Sequence, residues 1–179
     1  DMGTSTALYT KLSQRPEEIE LLKFYRLWIN LVIIITFIFI LGTQLTSSYK
    51  LIWPNQELIF IYLAAGMAII TWIVQILGQI ADAYSLTVKS EIARMCQKFL
   101  GMLFILALFF LNQLNLIHFF YYNYIILLLL AIGLLWIIQS DTHSIINHVQ
   151  LSVIQIRKYA IEFYNYSNPL FVLLLVGLI

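Results

Sequence analysis

The residues of this chain whose types and spacing suit chemistry lie on one helical stripe. Ala64, Ala68, Thr71, Gln75, Gly78, Asp82, Ser85 and Lys89 follow one another at steps of four and three, so one continuous helix would carry them all on a single face. The stripe is small at one end and polar at the other. Small residues let helices approach closely, and polar side chains inside a membrane turn to protein or water rather than to lipid. Two uses follow: tight packing with hydrogen bonds between helices, or the lining of a water-filled path through an oligomer. In the second, Gln75 is a constriction and Asp82 a cation-attracting ring at the mouth of the path. Asn30, a turn inside another apolar run, lies at the depth of Gln79 and Asp82 and is the polar partner expected for them.

Other chemistry is sparse. The sequence holds no CxxC pair, no HExxH and no Gly-rich phosphate loop. His143 and His148, near Asp141, are five apart, whereas two ligands on one helical face need a spacing of three or four. Cys96 is alone, so there is no disulfide framework, and it is read as an inert structural cysteine. The chain is therefore read as a non-enzyme without cofactor or metal, unless a catalytic domain follows Ile179.

The elements that must position the stripe are apolar runs at 27–45, 57–77, 99–117 and 120–138, each about 19 to 21 residues long. At about 1.5 Å per residue each crosses a hydrocarbon core about 30 Å thick. Within them no charge interrupts the run, and Glu57 stands only at one end. The chain is 11% charged and 61% hydrophobic, against about 25% charged in ordinary soluble domains, which excludes a water-soluble bundle. Of the ten Lys and Arg, all but Lys50 fall in segments that alternate assignment places on one side. Cytoplasmic loops carry the excess of basic residues, so that side is the cytoplasm and the N-terminus lies there. Tyr25, Trp28, Tyr49, Trp53 and Trp136 mark the interfaces, and the aromatic cluster from His118 to Tyr124 is expected to form the outer turn between spans three and four.

The expected architecture is an all-α, polytopic integral membrane bundle of four full spans and a partial fifth, forming a single membrane domain over residues 1–179. Its parts are a cytoplasmic N-terminal helix at 1–26, a transmembrane hairpin at 27–77, a cytoplasmic helical connector at 78–98, a second hairpin at 99–138, a cytoplasmic amphipathic helix at 139–168 and the start of a fifth span at 169–179. Pro16, with Glu17 and Glu18, reads as a helix start that runs unbroken into the first span. The connector lacks Gly and Pro, so the second span is expected to continue into the cytoplasm and bend back near Gly101. Ile146, Val149, Val153, Ile156, Ala160 and Phe163 form an apolar seam for association, ended by residues 165–169. The run after Pro169 covers about half a bilayer, and a continuation beyond Ile179 is expected. A faint repeat pairs the sequence at 72–75 with 136–139, and that at 82–86 with 141–145.

Leu8, Tyr9 and Lys11, followed by a charged helix, a transmembrane hairpin and a post-hairpin helix at 82–98, give an order of elements that resembles the SLATT and related SMODS-associated membrane effectors of bacterial defence systems. The resemblance covers about 100 residues and rests on layout. It implies an oligomeric effector that permeabilises or depolarises the inner membrane when a nucleotide-derived signal arrives. The third and fourth spans, with no soluble sensor between them, depart from that pattern. Expected partners are the lipid bilayer and either further copies of the chain or other membrane subunits; no nucleic-acid-binding feature is present. The expected location is a bacterial inner membrane, with an organelle inner membrane as the alternative. The expected function is a pore-forming or permeability-controlling oligomer gated from the cytoplasmic face, and the alternative is an accessory scaffold subunit of a larger membrane complex.

Overall fold

Leucine, isoleucine and phenylalanine recur throughout the segments between the turns, and the three prolines stay out of the central apolar runs. Nothing there interrupts backbone hydrogen bonding, so the runs close into long helices. The computed structural model describes residues 4–46, 49–141 and 152–176, with side chains described to Pro169. The elements are α1 (Thr4–Gln14), α2 (Ile19–Leu45), α3 (Tyr49–Ile52), α4 (Leu58–Ala83), α5 (Thr87–Phe110), α6 (Leu116–Asp141) and α7 (Val153–Val176). Among the described residues all regular structure is helical. Four helices, α2, α4, α5 and α6, are long and apolar enough to cross a membrane.

The turns explain several departures from the expected boundaries. α4 stops at Ala83 because Ser85 adopts φ 62°. Ser85 N–H then donates to Asp82 O and Leu86 N–H to Ala81 O, the pair of bonds that closes a Schellman cap. The chain thus reverses at 84–86 and not near Gly101, and α5 runs straight through Gly101. Asn112, φ 53°, closes α5 in the same way, with Gln113 N–H donating to Leu108 O. The far turn therefore occupies 111–115. His118 to Tyr124, expected there, instead form the first turns of α6, which Asn115 caps by accepting from His118 N–H at 2.8 Å.

At the other end α1 is a separate helix. The chain turns at 15–18 and α2 begins at Ile19, three residues later than Pro16 suggested. The last helix, expected from residue 139, likewise begins late, at Val153. Ser152 N–H donates to Gln155 Oε1 at 2.8 Å and Gln155 N–H to Ser152 Oγ at 3.3 Å, a reciprocal capping box. α7 does not end at 165–169 but continues through Pro169 to Val176, at the cost of the one backbone N–H that Pro169 lacks.

Two apolar cores hold the helices together. In the first, Leu8 and Leu12 of α1, Leu21, Phe24 and Tyr25 of α2, Ile76 of α4, and Tyr159 and Phe163 of α7 bury one another. In the second, Val74, Leu77 and Ala81 of α4 pack on Leu130, Ala131, Leu134 and Ile138 of α6. Helix α4 is common to both. Contacts at Tyr84 and Pro16, Lys89 and Asp141, and Arg15 and Glu162 gather one end of every long helix together, and this end carries nine of the ten basic residues.

Candidate functional site

The stripe divides where α4 acquires neighbours. Ala64, Ala68, Thr71 and Gln75 are exposed along one face and line a shallow groove of about 620 Å³ with Met67, Trp72 and Phe120. Thr71 satisfies its hydroxyl within the helix, donating to Met67 O at 2.8 Å. Gln75 makes no hydrogen bond among the described residues. It lies 17 residues along α4 from Leu58, about 25 Å, on a helix long and apolar enough to cross a membrane.

Below Gln75 the face is covered. Gly78 is buried, and the guanidinium of Arg94 on α5 occupies the space a Cβ would need. Asp82 is half-buried and accepts from Ser90 Oγ at 3.4 Å. Ser85 sits in the turn, and Lys89 lies on α5, where its ammonium holds both carboxylate oxygens of Asp141 at 2.6 and 2.7 Å. The expected single stripe is thus corrected. The left-handed turn at Ser85 breaks the helical phase, so Ser85 and Lys89 do not share a face with Ala64, Ala68, Thr71 and Gln75.

The polar pair expected between Asn30 and Gln79 is not formed. Asn30 faces outward on α2, while Gln79 Oε1 is buried without a hydrogen-bond partner. The two helices share the first core and are joined again near the far end, where Tyr62 Oη donates to Gln44 Oε1. Of the apolar seam, Ile146 and Val149 lie outside the described residues. Val153 and Ala160 are exposed, Phe163 is buried, and Ile156 packs partly against the same core. The packed face of α7 is rotated because Tyr159, absent from the seam, is the residue that inserts fully. The faint repeat also has no common environment: Trp72 packs on the first core, whereas Trp136 is 71% exposed. Cys96 is exposed on α5, which corrects its reading as a structural cysteine.

A polar network at the basic end was not visible as a pattern. Glu162 of α7 pairs with Lys11 at 2.9 Å and with Arg15 at 2.7 Å, and Arg15 also holds Glu18 at 3.1 Å. The Tyr159 hydroxyl stands 3.1 Å from Glu18 Oε1 and 3.1 Å from Glu20 Oε2, and Gln155 Nε2 donates to Glu20 Oε1 at 2.9 Å. Lys11 and Arg15 hold the Glu162 carboxyl below the usual carboxylate range, and Lys11 has the larger effect. Burial, with the two acceptor carboxylates, pushes the Tyr159 hydroxyl well above its ordinary range. The arrangement ties α7 to α1 and to the start of α2. Its sequence signal was only the charge at 11–20 and at 155–162, far apart in the chain.

Among the described residues no group of three or more His, Cys, Asp and Glu is placed to hold a metal. What the geometry offers is recognition between helices, through the exposed half of α4, and an ionic clasp at the basic end. No family model, curated protein or solved structure matches the chain.

Proposed function

We propose that the chain is a non-catalytic membrane subunit that acts by lateral assembly within the bilayer. The observation that carries this reading is the uncovered face from Ala64 to Gln75. Its small residues permit close helix approach, and the Gln75 amide, without a partner among the described residues, gains hydrogen bonds from a second helix or from water. The nine basic residues at one end orient that end to the cytoplasm, in a bacterial inner membrane or an organelle inner membrane.

Two assemblies use the same face. In a homo-oligomer, α4 helices turned to a common axis would control permeability, with the clasp at the basic end as the point of control. This is the reading that the layout likeness to SLATT effectors favours. In an accessory subunit, a helix of another protein covers the groove. The placement of Gly78 under Arg94 and of Asp82 beside Ser90 favours the accessory subunit, because it leaves only the stretch from Ala64 to Gln75 free to line a path.

Mass measurement on the chain purified from its membrane distinguishes them. A symmetric homo-oligomer supports the permeability reading, and fixed foreign subunits support the accessory one. A monomer that neither associates nor co-purifies sinks both. Liposome flux adds a second test: Gln75→Leu changes ion flux if α4 lines a path.

A further inference from the structure

The basic residues of α5 sit deep for a helix that ends at Phe110. Phe60 and Phe120 stack with ring centroids 6.3 Å apart, which sets the starts of α4 and α6 at one level, and the short turn at 111–115 holds the end of α5 beside them. From Phe110, Lys98 is about 18 Å along the helix and Arg94 about 24 Å, whereas the hydrocarbon core is about 30 Å thick. With the starts of α4 and α6 taken as one edge of the hydrocarbon, two residues fall level with the other. The Arg94 guanidinium reaches Gly78, about 30 Å along α4 from Leu58, and the exposed Trp136 lies about 30 Å along α6 from Leu116.

Long side chains on a helix point toward its N-terminus, which on α5 is the basic end, so both groups reach outward as snorkelling cations do. For Arg94 that reach is sufficient. Lys98 starts about 12 Å inside the boundary, and its side chain does not span that distance. It is exposed and makes no ion pair or hydrogen bond among the described residues. Arg94 pairs with Glu91 of its own helix, and its side chain remains 32% exposed. A spacing of four puts Arg94 and Lys98 on one face.

A cation facing lipid at this depth needs an anion, and dissolved anions do not enter hydrocarbon. Headgroup phosphates border it, and basic sites between helices recognise them. Apolar side chains for the acyl chains are present too: Ile92, Met95, Phe99 and Met102 are exposed around the pair. We propose that Arg94 and Lys98 bind the headgroup phosphate of an anionic phospholipid from the leaflet at the basic end, drawn below its ordinary level along α5. The site is separate from the α4 groove and stands whether the chain is a permeability oligomer or an accessory subunit.

The test uses the full chain reconstituted in vesicles of phosphatidylcholine and phosphatidylglycerol in equal parts, then released for native mass spectrometry. Phosphatidylglycerol is expected to be retained in preference to phosphatidylcholine. Lys98→Gln lowers the retention about fivefold and Lys98→Arg preserves it. Lys98 is exposed and makes no pair among the described residues, so its substitution leaves folding intact, and the unfolding midpoint in pure phosphatidylcholine vesicles verifies this. Equal retention of the two lipids, unchanged retention in Lys98→Gln, or displacement by inorganic phosphate overturns the proposal. So does a zero-length cross-link from Lys98 to a carboxylate of a second copy or another protein, which would make that carboxylate the occupant. The same spectra report the oligomer mass, so loss of lipid and loss of assembly are read separately.

Discussion

Gly78 of α4 lies directly beneath the guanidinium of Arg94 of α5, and no larger residue fits there without moving that cation. The contact joins the two helices of the hairpin. It also closes the lower half of the face that would otherwise run on from Gln75.

Replacing Gly78 by Ala is therefore expected to push aside the Arg94 guanidinium, the movable end of a long side chain, at a cost of about 1 kcal/mol, the low end of the range for overpacking. The greater helix propensity of Ala acts the other way, by at most about 1 kcal/mol. Combining Gly78→Ala with Arg94→Ala removes the collision, so the two substitutions together should cost less than the sum of their separate effects. Thermal unfolding in detergent, run as a double-mutant cycle, measures this. Additive costs would show that Arg94 does not occupy the space above residue 78.

The turn that starts this hairpin carries a second prediction. Ser85 holds φ 62°, a conformation that disfavours side chains and suits glycine. Its backbone bonds, to Asp82 O and from Leu86 to Ala81 O, do not involve the serine side chain. Ser85→Gly should stabilise the chain by about 1 kcal/mol, seen as a higher unfolding midpoint. Ser85→Val should lower it, since a β-branched residue tolerates this conformation poorly.

This turn also shows why helix existence was legible in the sequence while helix partnership was not. Four long apolar runs follow from leucine-rich segments without proline, and the structure has four such helices. Their ends depended on two residues, Ser85 and Asn112, which adopt a positive φ where a sequence reading looks first to glycine. Placing the reversal at Ser85 rather than near Gly101 put Lys89 on a different helix from Gln75. The stripe was correct as helical arithmetic from Ala64 to Asp82 and failed beyond it. Its covering by Arg94 depends on a contact between residues 16 apart in the chain, which periodicity within one helix does not reveal. Tyr159 escaped notice for a related reason, because a tyrosine off a heptad seam looks solvated until two glutamates from α2 and its approach are brought to its hydroxyl.

The clasp at the basic end should respond to acid. Lys11 and Arg15 depress the Glu162 carboxyl in the docked state, so the undocked carboxylate binds protons more readily. A depressed carboxylate stabilises docking above its free value, near 4.3, and that stabilisation is lost as pH falls toward the docked value. Hydrogen exchange of α7 should therefore be constant from neutral pH to about 5 and accelerate, after correction for intrinsic rates, below about 4.3. Glu162→Gln should raise the exchange at neutral pH and remove this acid-dependent part. If the variant retains the full acid response, the Glu162 carboxyl is not the group responsible.

The exposed half of α4 gives the most direct test of lateral assembly. Ala68 is exposed and no described residue covers it, so a larger side chain there is accommodated within the monomer, while a neighbouring helix seated in the groove is not. Ala68→Phe should leave the unfolding midpoint within about 0.5 kcal/mol of the parent, as surface substitutions do, and shift the purified species to lower mass or strip it of foreign subunits. A control at Ile38, 63% exposed on α2 and outside the groove, should leave assembly unchanged when replaced by Phe. Cross-linking separates the two forms of assembly in the intact membrane. With Cys96 replaced by serine, a single cysteine at position 68 would join copies of the chain in a homo-oligomer and would join this chain to a different protein in an accessory complex. Unchanged assembly in Ala68→Phe, together with no cross-link of either kind, would mean that lipid covers the face and that the chain associates through another surface or not at all.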